Sequence, residues 1–80
     1  MNHFTTEQQT KLKELEFTWN EQDQEWYSDA YEDVKRIYFD EGLSPFAYCL
    51  SERVWNDDDQ EYEDRLECFK TLEDLIAQNF

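Results

Sequence analysis

The sequence predicts an all-α fold, a small helical bundle of three to four helices in a single domain spanning residues 1–80. Three observations predict it. Apolar residues recur at spacings of three and four along most of the chain, the period of one helix face. Helix start and stop signals punctuate those runs. One Gly and one Pro in 80 residues leave little turn chemistry for an all-β alternative.

The first helix is predicted to begin at Thr5 or Thr6, either of which can cap, with Gln8 or Gln9 as the capping-box partner. Leu12, Leu15, Trp19 and Trp26 recur at heptad-like intervals and give one apolar seam, with Glu16 outside it and Phe17 on a flank. The polar stretch Asn20-Glu21-Gln22-Asp23-Gln24 either breaks this helix or forms an exposed turn of it. A second segment, from about Asp23 to Asp40, places Tyr27, Ala30, Tyr31, Val34, Ile37 and Tyr38 at helical spacing. Arg36-Ile37-Tyr38-Phe39 reads as a strand by propensity alone, but the period continues on its N-terminal side and favours helix. Gly42 supplies a C-cap.

Ser44-Pro45 reads as N-cap and first position of a third helix. Its face is Phe46, Ala47, Leu50 and Val54, widened by Tyr48, Cys49 and Trp55. Asn56-Asp57-Asp58-Asp59 ends it and caps the next, where acid also suits the positive end of the helix dipole. The last helix carries Tyr62, Leu66, Phe69, Leu72 and Ile76, and Phe80 either folds back onto the core or frays. No repeat and no linker is read along the chain.

Composition bounds the function. Twenty-one Asp and Glu against seven Lys and Arg give a formal net charge of −14, on a chain that is 18% aromatic. Disordered acidic tails lack aromatics because they have too little apolar surface to offset the entropy of ordering. A compact body wrapped in negative charge is expected instead. Its self-repulsion should ease with salt or a basic partner. A homodimer would enlarge the core while bringing two such bodies together.

No apolar run is long enough to cross a bilayer as a helix. Met1-Asn2-His3-Phe4-Thr5-Thr6 lacks the basic and then apolar regions of a signal peptide. Cys49 and Cys68 form no CxxC pair, so a reduced pair in the cytoplasm is expected. Net acidity also argues against binding to anionic lipid.

Metal and catalytic motifs fail on spacing. Asp57, Asp59 and Glu61 alternate like the opening of a calcium loop, but its sixth and twelfth positions are Tyr62 and Cys68 rather than Gly and Glu. His3, Cys49 and Cys68 match no zinc spacing. The one His lies at position 3, no Ser-His or Cys-His arrangement stands out, and no glycine loop cradles phosphate. No catalytic residue, metal or cofactor is expected, and the chain reads as a non-enzyme.

Direct binding to nucleic acid is opposed by phosphate repulsion. The seven cations, Lys11, Lys13, Lys35, Arg36, Arg53, Arg65 and Lys70, are scattered, with intrahelical pairs such as Glu61–Arg65 and Glu32–Arg36 expected.

Two acid clusters remain as candidate partner-binding residues: Glu21, Asp23, Glu25, Asp29, Glu32 and Asp33, then Asp57, Asp58, Asp59, Glu61, Glu63 and Asp64. A solvated helix face is the ordinary account of such runs. Solubility, however, needs a net charge of only about 2–8 in magnitude for a small domain. A twenty-residue helix spans about 30 Å, and duplex DNA of that length carries about eighteen phosphate charges. Carboxylates on rigid helices then stand in for phosphates in a basic groove. Trp26, Tyr27, Tyr31, Trp55 and Tyr62 border the clusters and serve either as core or as interface anchors.

In bulk character, and in segments such as Tyr31-Glu32-Asp33-Val34 and Asp57-Asp58-Asp59-Gln60-Glu61-Tyr62-Glu63-Asp64, the chain resembles the acidic DNA-mimic inhibitors of phages and mobile elements, of antirestriction and anti-CRISPR type. That resemblance implies a stoichiometric inhibitor competing for the nucleic-acid cleft of a basic binding protein or defence nuclease. Two alternatives stand beside it. One is an acidic interaction module, antitoxin or adaptor, that binds a basic partner outside its nucleic-acid site. The other is an accessory protein whose acidity serves only solubility.

Overall fold

The computed structural model describes residues 4–30 and 34–80. It is a two-layer α+β fold, an antiparallel sheet with two short helices on one face, and overturns the all-α expectation. Helix α1 (Thr6–Glu14) is followed by strands β1 (Thr18–Asn20), β2 (Glu25–Ser28), β3 (Val34–Phe39), β4 (Tyr48–Asn56) and β5 (Glu61–Phe69), then helix α2 (Leu72–Asn79). The strands form one antiparallel sheet in chain order, β1-β2-β3-β4-β5. Register sets Trp19 beside Trp26, Trp26 beside Ile37, Ile37 beside Leu50 and Leu50 beside Glu67.

The physical reason for the misreading is that a spacing of four is even. Val34 and Tyr38, Leu50 and Val54, and Tyr62 and Leu66 each share a helix face, but they equally share one face of a strand. Aromatic and β-branched residues then decide for the strand, because they pack well on a pleated surface. Ser44-Pro45 lies in the β3–β4 connection with a cis peptide bond and caps no helix. Gly42 sits within a short 3₁₀ turn, Glu41–Leu43, rather than closing an α-helix.

Only the two ends of the chain are α-helical among the described residues. Thr5 caps α1 in a full capping box with Gln8, as the sequence predicts. The helix stops at Leu15, and Glu16 follows at φ 68°. Helix α2 starts about three turns later than the periodicity suggests, at Leu72, where the Thr71 side chain accepts from the Asp74 N–H. The two helices are tied by the Gln8 carboxamide, which donates to both Glu73 carboxylate oxygens at 3.2 and 3.0 Å.

Phe4, Leu12, Phe17, Trp26, Ile37, Leu50, Leu72 and Leu75 form the core between the helices and one sheet face. Leu15, Trp19, Phe39, Tyr48, Phe69 and Ile76 close its margin. Thus the predicted seam of Leu12, Leu15, Trp19 and Trp26 does converge, although it spans a helix and two strands. Phe17 is buried rather than flanking. The Phe80 ring folds back onto Phe17, edge-on at 5.7 Å between centroids.

Candidate functional site

Among the described residues, no helix covers the opposite sheet face. Strand alternation puts Tyr27, Arg36, Ser51 and Leu66 on this outer face, with Val34, Arg53, Asp64, Trp55 and Tyr62 further along it. Several of these are large apolar groups left open to solvent: Tyr27, Val34, Trp55, Tyr62 and Leu66 are 38–63% exposed. A shallow groove of about 170 Å³, lined by Val34, Arg36, Ser51, Arg53 and Asp64, runs between them. The sequence leaves open whether the aromatics near the acid are core or anchors. Trp26 is core at 1% exposure, whereas Tyr27, Trp55 and Tyr62 face solvent, and Tyr31 lies outside the described residues.

Past Val34, β4 and β5 run on as a ribbon in which Val54 pairs with Glu63, Trp55 with Tyr62, and Asn56 with Glu61. The Trp55 and Tyr62 rings meet edge-on at 5.0 Å, and the Arg53 guanidinium lies 5.9 Å from the Tyr62 ring centroid. The ribbon closes on Asp57–Gln60, not on the start of a helix. Asn56 organises this turn. Its side-chain carbonyl accepts from the N–H groups of Asp58 and Asp59 at 2.9 and 3.4 Å, and its amide donates to Glu63 at 2.7 Å. The Trp55 indole N–H donates to Asp57 at 2.7 Å, and Gln60 takes φ 53°.

The β1–β2 turn repeats the design. Asn20 accepts from Gln22 and Asp23 at 3.1 and 3.3 Å, the Trp19 indole donates to Glu21 at 2.6 Å, and Gln24 takes φ 54°. Trp19-Asn20-Glu21-Gln22-Asp23-Gln24-Glu25 and Trp55-Asn56-Asp57-Asp58-Asp59-Gln60-Glu61 are therefore two copies of one hairpin turn, correcting the reading that the chain has no repeat. Matching Trp-Asn and Asp-Gln-Glu in the sequence was the signal for it.

The second acid cluster holds together in space. Asp57, Asp58 and Asp59 form the ribbon's tip, and Glu61, Glu63 and Asp64 continue along β5, all exposed. The first cluster does not. Glu21 and Asp23 sit in the β1–β2 turn and Glu25 begins β2, whereas Asp29 follows the far end of that strand. Glu32 and Asp33 lie outside the described residues. The sheet runs antiparallel throughout, so the β1–β2 turn and the β4–β5 turn lie at opposite ends of it.

Ion pairs cross strands instead of following helix spacing: Lys35–Glu52 at 3.4 Å, Arg36–Glu25 at 3.6 Å and Arg53–Asp64 at 3.3 Å. Glu61 and Arg65 stand on one strand and share no helix turn, and Glu32 is undescribed. Hydrogen bonds from the Trp19 indole and then the Gln24 amide hold the Glu21 carboxyl below its ordinary range.

Cys49 and Cys68 face each other across β4 and β5 with sulfurs 3.1 Å apart. Burial, followed by the neighbouring Cys68, pushes the Cys49 thiol up to about 12. Among the described residues no group of three His, Cys, Asp or Glu converges to hold a metal ion. No helix among them is long and apolar enough to cross a membrane. Comparison with family models, curated proteins and solved structures finds no match for the chain.

Proposed function

We propose that this protein is a stoichiometric inhibitor that lays its β4–β5 ribbon in the basic groove of a nucleic-acid-binding protein or defence nuclease, in the place of nucleic acid. One observation carries the reading: residues 57–64 form an exposed ribbon tip bearing six carboxylates and no Lys or Arg. Carboxylates on one face of a strand recur at about 6.7 Å. That is twice the ~3.4 Å axial spacing of phosphates along one DNA strand. Over the molecule's 40 Å long axis, duplex DNA carries about 24 phosphate charges, against a net charge of −14 here. The line charges are of the same order even though no long helix displays them.

Such a ribbon is steered to a positive groove by long-range attraction, so the association rate falls steeply with ionic strength. Retention comes from Trp55 and Tyr62, whose exposed rings supply apolar contact beside the charge. Nucleic acid itself and anionic membranes are repelled by the same field.

The second reading is an acidic interaction module that holds a basic partner outside its nucleic-acid site. The open sheet face favours it, because Tyr27, Val34 and Leu66 lie away from the ribbon tip and offer contact that phosphate mimicry does not need.

The test is capture of partners by the tagged protein, with duplex or single-stranded nucleic acid added to half the sample. Mimicry requires a basic nucleic-acid-binding protein that is released by the competitor. A partner retained while it also holds nucleic acid selects the module. Asp58→Lys combined with Glu61→Lys should leave the fold intact, since both residues are exposed. It should weaken that complex by about tenfold or more.

A further inference from the structure

The two edges of the sheet are unequal. Strand β1, at one edge, is three residues long, and shortness protects an edge from pairing with another chain. Strand β5, at the other edge, is nine residues long and pairs only with β4 among the described strands. Its register with β4 is unbroken from Tyr48 beside Phe69 to Asn56 beside Glu61, so no bulge twists the edge away. It contains no Pro, every residue from Glu61 to Glu67 is exposed, and the guards it carries are charges: Glu61, Glu63, Asp64, Arg65 and Glu67. The outward row of backbone N–H and C=O groups is a ready template for another strand.

Its side chains restrict which strand. Alternation places Glu61, Glu63, Arg65 and Glu67 on one face, and Tyr62, Asp64 and Leu66 on the other, continuous with Trp55. A second copy is a poor occupant. Antiparallel pairing of two β5 strands about Asp64 sets Asp64 against Asp64 and Glu61 against Glu67 and brings two chains of net charge −14 together, against the attractive contacts of Glu63 with Arg65 and Tyr62 with Leu66. Like charges directly opposite destabilise a sheet. A cationic strand meets the reverse situation on the same edge.

We propose that β5 is a β-augmentation site: an extended segment of a partner protein, alternating Lys or Arg with apolar residues, adds to the sheet as a sixth strand. Its cations face Glu61, Glu63 and Glu67, with Arg65 the one like charge on that face, and its apolar side chains extend the face of Tyr62 and Leu66 on either side of Asp64. Main-chain hydrogen bonds supply attraction, and the alternation supplies the choice of partner. The inference goes beyond the inhibitor reading and does not require that nucleic acid be displaced.

The full-length protein is titrated with four synthetic nine-residue peptides. The first alternates Lys and Val. The second has the same composition in two blocks. The third and fourth are the alternating peptide N-methylated on every Val or on every Lys, which removes the outward amide donors in one phase or the other. The alternating peptide should bind about tenfold more tightly than the block peptide, and methylation in one phase should cost about tenfold while the other phase costs little. Amide exchange along Glu61–Glu67 should slow on binding. Equal affinity for all four peptides would reduce the attraction to charge alone and overturn the proposal. It would equally be overturned by no binding of the alternating peptide, or by sedimentation of the free protein as a dimer with β5 protected.

Discussion

Strands β1–β2 and β4–β5 close on the same turn, with Trp-Asn at the entry, an acidic middle and a Gln at positive φ before the return strand. Past the turn they diverge. In the first hairpin the return strand sends Trp26 into the core, where its ring packs at 5.5 Å from Trp19 and 6.3 Å from Phe4. In the second, Trp55 and Tyr62 pack on each other and stay 47% and 63% exposed. The turn chemistry therefore belongs to folding, since it recurs under quite different surroundings. The exposed aromatic pair has no such role in the core, and on the function proposed above it serves contact with a partner.

The sharpest break of this comparison is a pair of truncations. Trp26→Ala should cost about 3–5 kcal/mol, because it removes a fully buried ring from between Phe4, Trp19 and Ile37. Tyr62→Ala, on the matching strand of the other hairpin, should stay within about 0.5–1 kcal/mol. Urea unfolding of both variants gives the contrast directly. A similar loss in both would make the ribbon part of the cooperative core.

Next in size is a cross-link at the root of the second hairpin. Cys49 and Cys68 stand opposite each other, so mild oxidation should join them with little backbone movement. Closing this loop should stabilise the oxidised form by about 3 kcal/mol on the chain-entropy account. The elevated Cys49 thiol makes the reaction slow at neutral pH, with Cys68, which is half-buried, as the sulfur reached first. Unfolding curves with and without reductant measure the gain, and coincident curves would show that the pair does not close.

These elements also mark what could be read from the chain. The capping box at Thr5 and Gln8 is local chemistry, and α1 begins where it says. The strands were illegible because Tyr62 and Leu66, like Leu50 and Val54, are four apart and fit either period. The turns were disguised as well. Asn20 and Asn56 fold them with a side-chain carbonyl, and Gln24 and Gln60 take the left-handed conformation that a search for Gly would assign to glycine. Of the site, the acid of residues 57–64 was legible because a hairpin keeps sequence neighbours together. Glu21 and Asp29 were grouped by sequence alone, and the length of β2 separates them.

Smaller effects distinguish the two Asn residues. Each accepts two backbone N–H groups, so Asn20→Ala and Asn56→Ala remove the same bonds to the turn backbone, and Asn56→Ala also removes the amide's bond to Glu63. Asn20→Ala should lower global stability by about 1 kcal/mol, since the turn it organises positions Trp26. Asn56→Ala should leave the global value nearly unchanged and speed amide exchange at Asp58 and Asp59, because the ribbon tip opens without the core. Equal global losses would mean that the tip and the core unfold as one unit.

The smallest effect is the pH response of the first turn. Glu21 is held below its ordinary range by the Trp19 indole N–H and then the Gln24 amide, both bonded to the ionised form. A carboxyl lowered in the folded state contributes stability that is complete above its unfolded pKa. That contribution is lost as pH falls through the lower, folded value. Glu21→Gln should therefore flatten the acid side of the stability profile slightly, and Trp19→Phe should return the Glu21 titration, followed by NMR, toward that of an unbonded glutamate. An unchanged Glu21 titration in Trp19→Phe would show that the indole bond does not hold this carboxylate in solution. The same Trp-to-acid bond would then lose its claim to organise the Trp55–Asp57 turn, and Asn56 would be left to shape the ribbon tip.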